Sequence, residues 1–155
     1  MVIRPFFTSK NSKTSYLLCD ESTKQAVIIN LFEISIELIK CLENYKLKTL
    51  YITDKQSYSI IGLKTLFKIY QPKIMTPENN KTEFIGKTKI YSKPLSHDEL
   101  LIKVDDAIFS GCIDFDKFYS KENNKLFVYP ANNPVTTIET ISNLKLLNPE
   151  LLLLG

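Results

Sequence analysis

The stretch LKTLYITDKQSYSIIGLKTLFKIYQPKIMTP, residues 47–77, decides the fold prediction. Its first part, residues 47–53, is rich in apolar and β-branched side chains and predicts a buried strand. Apolar side chains then recur at helical spacing, at Leu63, Leu66, Phe67 and Tyr70. This spacing predicts an amphipathic helix over 62–70, which Pro72 ends. A second short strand follows over 72–77, and this order with short loops is typical of right-handed βαβ units in a layered α/β domain.

The segments before this unit predict a hairpin and another helix. TSYLLCD (14–20) and QAVIINL (25–31) are rich in β-branched and aromatic residues and are separated by the polar ESTK, which favours a β-hairpin. Apolar positions over 34–45 cluster on one helical face and predict an amphipathic helix.

Strand patterning returns after the unit. Further strands are predicted over 87–93, 99–104, 107–111 and 125–129. Asp105 and Asp106 mark a hairpin turn between the second and the third of them. A last helix over 136–146 and a strand over 150–155 complete the predicted order of elements.

Composition limits the classes of function. A chain of 155 residues with 44% hydrophobic content can bury one sizeable core, so we expect a single domain over 1–155. Its 20 basic and 17 acidic residues are scattered, which argues against a nucleic-acid or membrane partner. Cys19, Cys41 and Cys112 match neither a metal motif nor a disulfide framework. With no signal peptide and no apolar run of about 20 residues, the expectation is a soluble, cytoplasmic protein.

Several segments occur in the order of a known family. The family's first hairpin resembles FFTSKNSKTSYLLCDESTKQAVIIN, and its first helix with the metal-binding strand resembles LIKCLENYKLKTLYIT. The strand before the family's Gly-Asp turn resembles AIFSGCIDF, and one of its late strands resembles NPELLLLG. Over nearly the whole chain this order resembles the metallo-β-lactamase fold superfamily, most nearly the glyoxalase II and persulfide dioxygenase branch. The resemblance implies an α/β fold, a metallo-β-lactamase-like αββα sandwich that is C-terminally truncated.

The metal-binding motif of that superfamily is altered in this chain. Its signature, His-x-His-x-Asp-His, follows a strand and converges on one or two metal ions. The same pattern laid on residues 52–63 puts other residues at the four ligand positions, namely Asp54, Gln56, Tyr58 and Ser59. Asn30 and Cys112 stand where the family has aspartates. The resemblance therefore implies a retained scaffold without metal or other cofactor.

The candidate residues of this vestigial pocket are Asp54, Gln56, Tyr58, Ser59, Cys112, Asp114 and His97. Cys112 is either a buried hydrophobe or a reactive thiol, and a reactive thiol needs a nearby cation. His97, the one histidine of the chain, is expected near the pocket rim or in a solvated pair with Asp98. Tyr58 and Ser59 are expected to fill the space left by the lost metals.

The leading functional expectation is a pseudoenzyme, a catalytically inactive domain that acts as a binding or assembly protein. Its partner is expected to be a second copy or another protein, because a truncated scaffold exposes apolar surface. The alternative is a divergent hydrolase or thiol/persulfide-handling enzyme, with a site rebuilt around Cys112 from His97, Asp54 and Asp114. A third possibility is a small-molecule ligand held in the vestigial pocket without turnover.

Overall fold

The computed structural model describes residues 1–8, 13–55, 58–94, 97–105, 107–110 and 127–130. Strands and helices occur there in the following order: β1 (Val2–Phe7), β2 (Thr14–Asp20), β3 (Gln25–Ile29), α1 (Ile36–Leu42), β4 (Lys46–Tyr51), α2 (Ile60–Ile69), β5 (Lys73–Met75), β6 (Glu83–Ile85), β7 (Thr88–Pro94), β8 (Leu100–Val104), β9 (Ala107–Ser110) and β10 (Phe127–Pro130).

The strands form two five-stranded sheets. The first has the order β1-β2-β3-β4-β5, antiparallel up to β3 and parallel from β3 to β5. Helices α1 and α2 make the crossovers that parallel neighbours require, so the predicted βαβ units are confirmed. The second sheet has the order β10-β9-β8-β7-β6, in which the β9–β10 pair is parallel and the others are antiparallel.

Apolar side chains on the two faces of the first sheet form two cores. One joins the two sheets and contains Tyr16, Leu18, Val27, Ile29, Tyr51, Met75, Ile85, Ile90, Leu100, Ile102, Val104, Ala107 and Phe109. The other joins the first sheet to the helices, through Leu17, Cys19, Ala26, Ile28, Leu31, Leu38, Leu42, Leu47, Leu50, Ile52 and Leu66. The described layers are therefore helices, sheet and sheet, and the elements predicted over 136–146 and 150–155 lie outside the described residues.

One helix is clearly shorter than predicted, and one strand was not predicted. Helix α1 covers only Ile36–Leu42, because Ser35 ends the preceding loop as its N-cap and accepts a hydrogen bond from Leu38 N at 3.1 Å. No strand is predicted at Glu83–Ile85, yet β6 pairs there with β7. Three residues are too few for a periodic signal, and the strand is held by burial of Ile85 and a hydrogen bond from Tyr51 OH to Glu83 Oε1 at 2.7 Å. In the described ranges, neither helix is long and apolar enough to cross a membrane.

Candidate functional site

A pocket of about 310 Å³ opens where β4 and β5 end, beside the start of α2. Its lining consists of Ile52, Asp54, Lys55, Tyr58, Leu63, Ile74, Thr76, Pro77, Glu78 and His97. This volume lies at the lower end of the range for small-molecule sites. The pocket thus lies where the strand-to-helix turn was expected to carry the vestigial site, and we call it the strand-end pocket.

Backbone pairing brings Asp54 and His97 to the same pocket. Asp54 forms an antiparallel bridge with Glu99, and Leu100 N donates to Thr53 O at 2.7 Å. The segment that carries His97 therefore runs beside the end of β4. Asp54 is buried and His97 is exposed, so His97 lies at the rim of the pocket.

An ion pair at the rim involves Lys55 and Asp98. Their side chains are 73% and 61% exposed, and a hydrogen bond from Lys55 to Asp98 raises the pKa of the lysine. The carboxylate beside the histidine in sequence therefore pairs with a lysine. Because both side chains are this exposed, solvent screens the ion pair and it adds little to the stability of the fold. Its main effect is to orient the Lys55 side chain.

Tyr58 and Ser59 have different roles, although both were expected to fill the pocket. Tyr58 is half-buried and lines the pocket, and its backbone forms a parallel bridge with Leu31. Ser59 is the N-cap of α2, and its hydroxyl accepts a hydrogen bond from Gly62 N at 3.3 Å. Ser59 is not part of the lining. A serine just before an apolar helical run is a typical cap signal, which the sequence already carried.

Asn30 joins the ends of β3 and β4 beneath the turn. Its Oδ1 accepts hydrogen bonds from Thr53 N at 2.9 Å and Thr53 Oγ1 at 3.1 Å. Its φ of 60° lies in the left-handed region, which asparagine tolerates better than most residues. Sequence comparison marked this position only as a replaced aspartate, whereas the structure shows that the side chain orients the residue before Asp54.

The described donors do not fit the metal centre that the fold family implies. A zinc site needs three or four converging ligands from histidine, cysteine or carboxylate groups. Within the described ranges, no group of three such residues is placed to hold a metal ion. At one ligand position, the Ser59 hydroxyl already caps α2. Gln56, Cys112 and Asp114 lie outside the described residues.

Comparison with protein families and curated sequences matches less than half of the chain. No family model matches the chain. An uncharacterized protein of Treponema pallidum is 32% identical over 68 residues, which is 43% of this chain and 38% of that protein. The chain therefore spans less than half the length of this curated relative.

Solved structures match most of the chain. ETHE1 from Myxococcus xanthus superposes with a TM-score of 0.69 at 18% identity, over 86% of this chain and 76% of that one. The BLEG-1 B3 metallo-beta-lactamase gives a TM-score of 0.59 at 13% identity, over 92% and 84%. An archaeal metallo-beta-lactamase superfamily protein from Sulfolobus tokodaii gives 0.51 at 15% identity, over 92% and 85%. The chain therefore has the metallo-β-lactamase fold that its sequence resemblance predicts.

Proposed function

We propose that residues 1–155 form a single cytoplasmic domain that is catalytically inactive, holds no metal and binds a small molecule in the strand-end pocket. One observation carries this proposal. Where the superfamily places its metal ligands, Asp54 and Tyr58 line a largely apolar pocket and Ser59 is used as a helix cap. Binding without turnover needs only such a cavity with a few polar groups.

The lining indicates the chemical class of the ligand. Apolar side chains make up much of it, namely Ile52, Leu63, Ile74 and Pro77. Asp54 and Glu78 add two carboxylates, whereas the lysine of the lining is paired with Asp98. Two carboxylates give the lining an excess of negative charge, which attracts a cationic group and repels an anionic one. The pocket therefore favours a small apolar or aromatic molecule with an amine over one with a carboxylate.

Thermal unfolding with matched probes tests this proposal. Tyramine is expected to raise the melting temperature, and 4-hydroxyphenylacetate, which has the same ring with an acid, is expected to leave it unchanged. A ligand at one hundred times its Kd stabilises the folded state by about 2.7 kcal/mol. Zinc should give no shift, and elemental analysis of protein purified without chelator should find less than about a tenth of an equivalent of metal.

Glu78→Gln should weaken the tyramine shift because it removes an exposed carboxylate of the pocket. Glu37→Gln, at another exposed glutamate, on α1 outside the pocket lining, is the matched control and should leave the shift intact. A stoichiometric metal together with a zinc-dependent rise in melting temperature would refute the metal-free proposal. Equal shifts with amine and acid, or none with either, would refute the proposed ligand class.

We also propose that the domain self-associates through the start of α2, where two large apolar side chains face solvent. Ile60 is 63% exposed and Ile61 is 80% exposed. Exposed apolar surface of this kind favours contact with another chain. Ile61→Lys is expected to convert a concentration-dependent dimer into a monomer in sedimentation velocity. Ile36→Lys, at a 71% exposed position on α1, should keep the dimer, and a wild-type protein that stays monomeric at high concentration would contradict the proposal.

A further inference from the structure

A second cavity, of about 450 Å³, lies at the other end of the first sheet and shares no lining residue with the strand-end pocket. It lies near the starts of β3 and β4, where Lys46 N donates to Lys24 O at 2.7 Å. Its lining consists of Arg4, Glu21, Lys24, Lys40, Cys41, Asn44 and Tyr45. We call it the cysteine cavity, because Cys41 is the nucleophile in its wall.

The cysteine cavity is positively charged. Among the described residues, three cations and one carboxylate line it, a formal charge of +2 (three minus one). The carboxylate of Glu21 is already engaged, since it pairs with Lys24 at 2.6 Å and accepts a hydrogen bond from Tyr45 OH. That hydrogen bond raises the pKa of Tyr45 to about 12, so the phenol stays neutral. Arg4 and Lys40 therefore dominate the field that an entering anion meets.

Cys41 is placed beside one of these cations. Arg4 Nη1 lies 3.6 Å from Cys41 Sγ, and the contact raises the pKa of the guanidinium. Cys41 is only partly buried, and the guanidinium lies where it can bind an anionic group of a reagent that approaches this sulfur. Cys19 differs: its side chain is buried in the helix-facing core, and burial raises the pKa of its thiol to about 11. The two thiols therefore form a natural pair of test and control.

We propose that Cys41 is a site of reversible S-thiolation by small anionic disulfides, independent of the ligand of the strand-end pocket. The thiol proton is released to solvent, and the thiolate attacks one sulfur of R–S–S–R. A bond forms between Cys41 Sγ and that sulfur while the R–S–S–R bond breaks, and R–S⁻ leaves with the electron pair. The disulfide is the oxidant, and Arg4 and Lys40 attract its carboxylates.

Two disulfides of opposite charge test the proposal on the intact chain. The protein is treated with 3,3′-dithiodipropionate, which is anionic, or with cystamine, which is cationic, and modified peptides are located and timed by mass spectrometry. Cys41 is expected to react about tenfold faster with the anionic probe at low salt, and added salt should reduce this preference. Cys19 should remain unmodified while the protein is folded.

Arg4→Gln should abolish most of the preference for the anionic disulfide, and Lys40→Gln should reduce it. Both side chains are exposed, so the folded state should persist, and circular dichroism verifies this for each variant. Lys64→Gln, an exposed change on α2 away from the cavity, should keep the wild-type preference. Equal rates for the two probes, or Cys41 reacting no faster than Cys19 in the folded protein, would overturn the proposal.

Discussion

Phe109→Ala is expected to lower the free energy of unfolding by about 3–5 kcal/mol, a large part of the 5–15 kcal/mol that is usual for a domain. Phe109 is fully buried in the core between the two sheets. Its ring meets Tyr16 edge to face, with centroids 5.3 Å apart at 64°. Since Tyr16 lies on β2 and Phe109 on β9, truncation leaves a cavity at the junction of the two sheets.

Urea unfolding measures this loss, and Phe84→Ala is its matched control. Phe84 is 52% exposed on β6, so its truncation should cost about 0.5 kcal/mol or less. A double-mutant cycle with Tyr16→Leu should return a coupling of about 0.5–1.5 kcal/mol for the ring pair. A Phe109→Ala variant as stable as Phe84→Ala would mean that the sheets do not pack through this ring.

Strands β2 to β5 of the first sheet could be predicted from sequence, because the central ones are buried on both faces. β2 contributes Leu17 and Cys19 to the helix-facing core and Tyr16 and Leu18 to the core between the sheets. Strands of this kind read as continuous apolar runs, which are easily recognised. β6 could not be predicted, because its place depends on non-local contacts of Ile85 and Glu83 rather than on a local pattern.

For the strand-end pocket, the expectation came from the family resemblance rather than from apolar patterning. The resemblance pointed to Asp54, Tyr58 and His97, and the structure places all three in the lining. Thr76 and Glu78 were missed, because they enter the lining only through the placement of the loop after β5. The capping role of Ser59 was present in the sequence as a local signal, but the family alignment assigned that position to a ligand.

The turns of two hairpins, one from each sheet, touch at Gly86. This residue lies between β6 and β7 with φ of 56°, and its N–H donates to Gln25 Oε1 at 3.2 Å. A Cβ at this position would lie 2.6 Å from Asp20 Cγ, inside van der Waals contact. The carboxylate of Asp20 cannot easily move, since Ser22 Oγ donates to it at 2.8 Å and Thr23 N at 2.9 Å.

Gly86→Ala is therefore expected to lower the free energy of unfolding by about 2–4 kcal/mol. About 1–2 kcal/mol comes from placing a side chain in the left-handed region, and the rest from the clash and from lost hydrogen bonds of about 0.5–1.5 kcal/mol each. Urea unfolding of Gly86→Ala in the wild-type and Asp20→Ala backgrounds separates the cost of the clash with Asp20 from the cost of backbone strain. The clash predicts a smaller cost in the Asp20→Ala background, whereas equal costs would assign the whole effect to backbone strain.

Acid titration gives this prediction a second readout. Hydrogen bonds from Thr23 and Ser22 hold the pKa of Asp20 below its usual 3.8. A carboxyl group whose folded-state pKa is depressed stabilises the fold above its unfolded pKa, and this contribution is lost as the pH falls through the folded value. Wild-type stability should therefore fall below about pH 4. If Gly86→Ala displaces the Asp20 carboxylate from the turn, the stability of the variant should fall less steeply than that of the wild type below about pH 4. An unchanged slope would show that Asp20 keeps its hydrogen bonds and that the clash is relieved elsewhere.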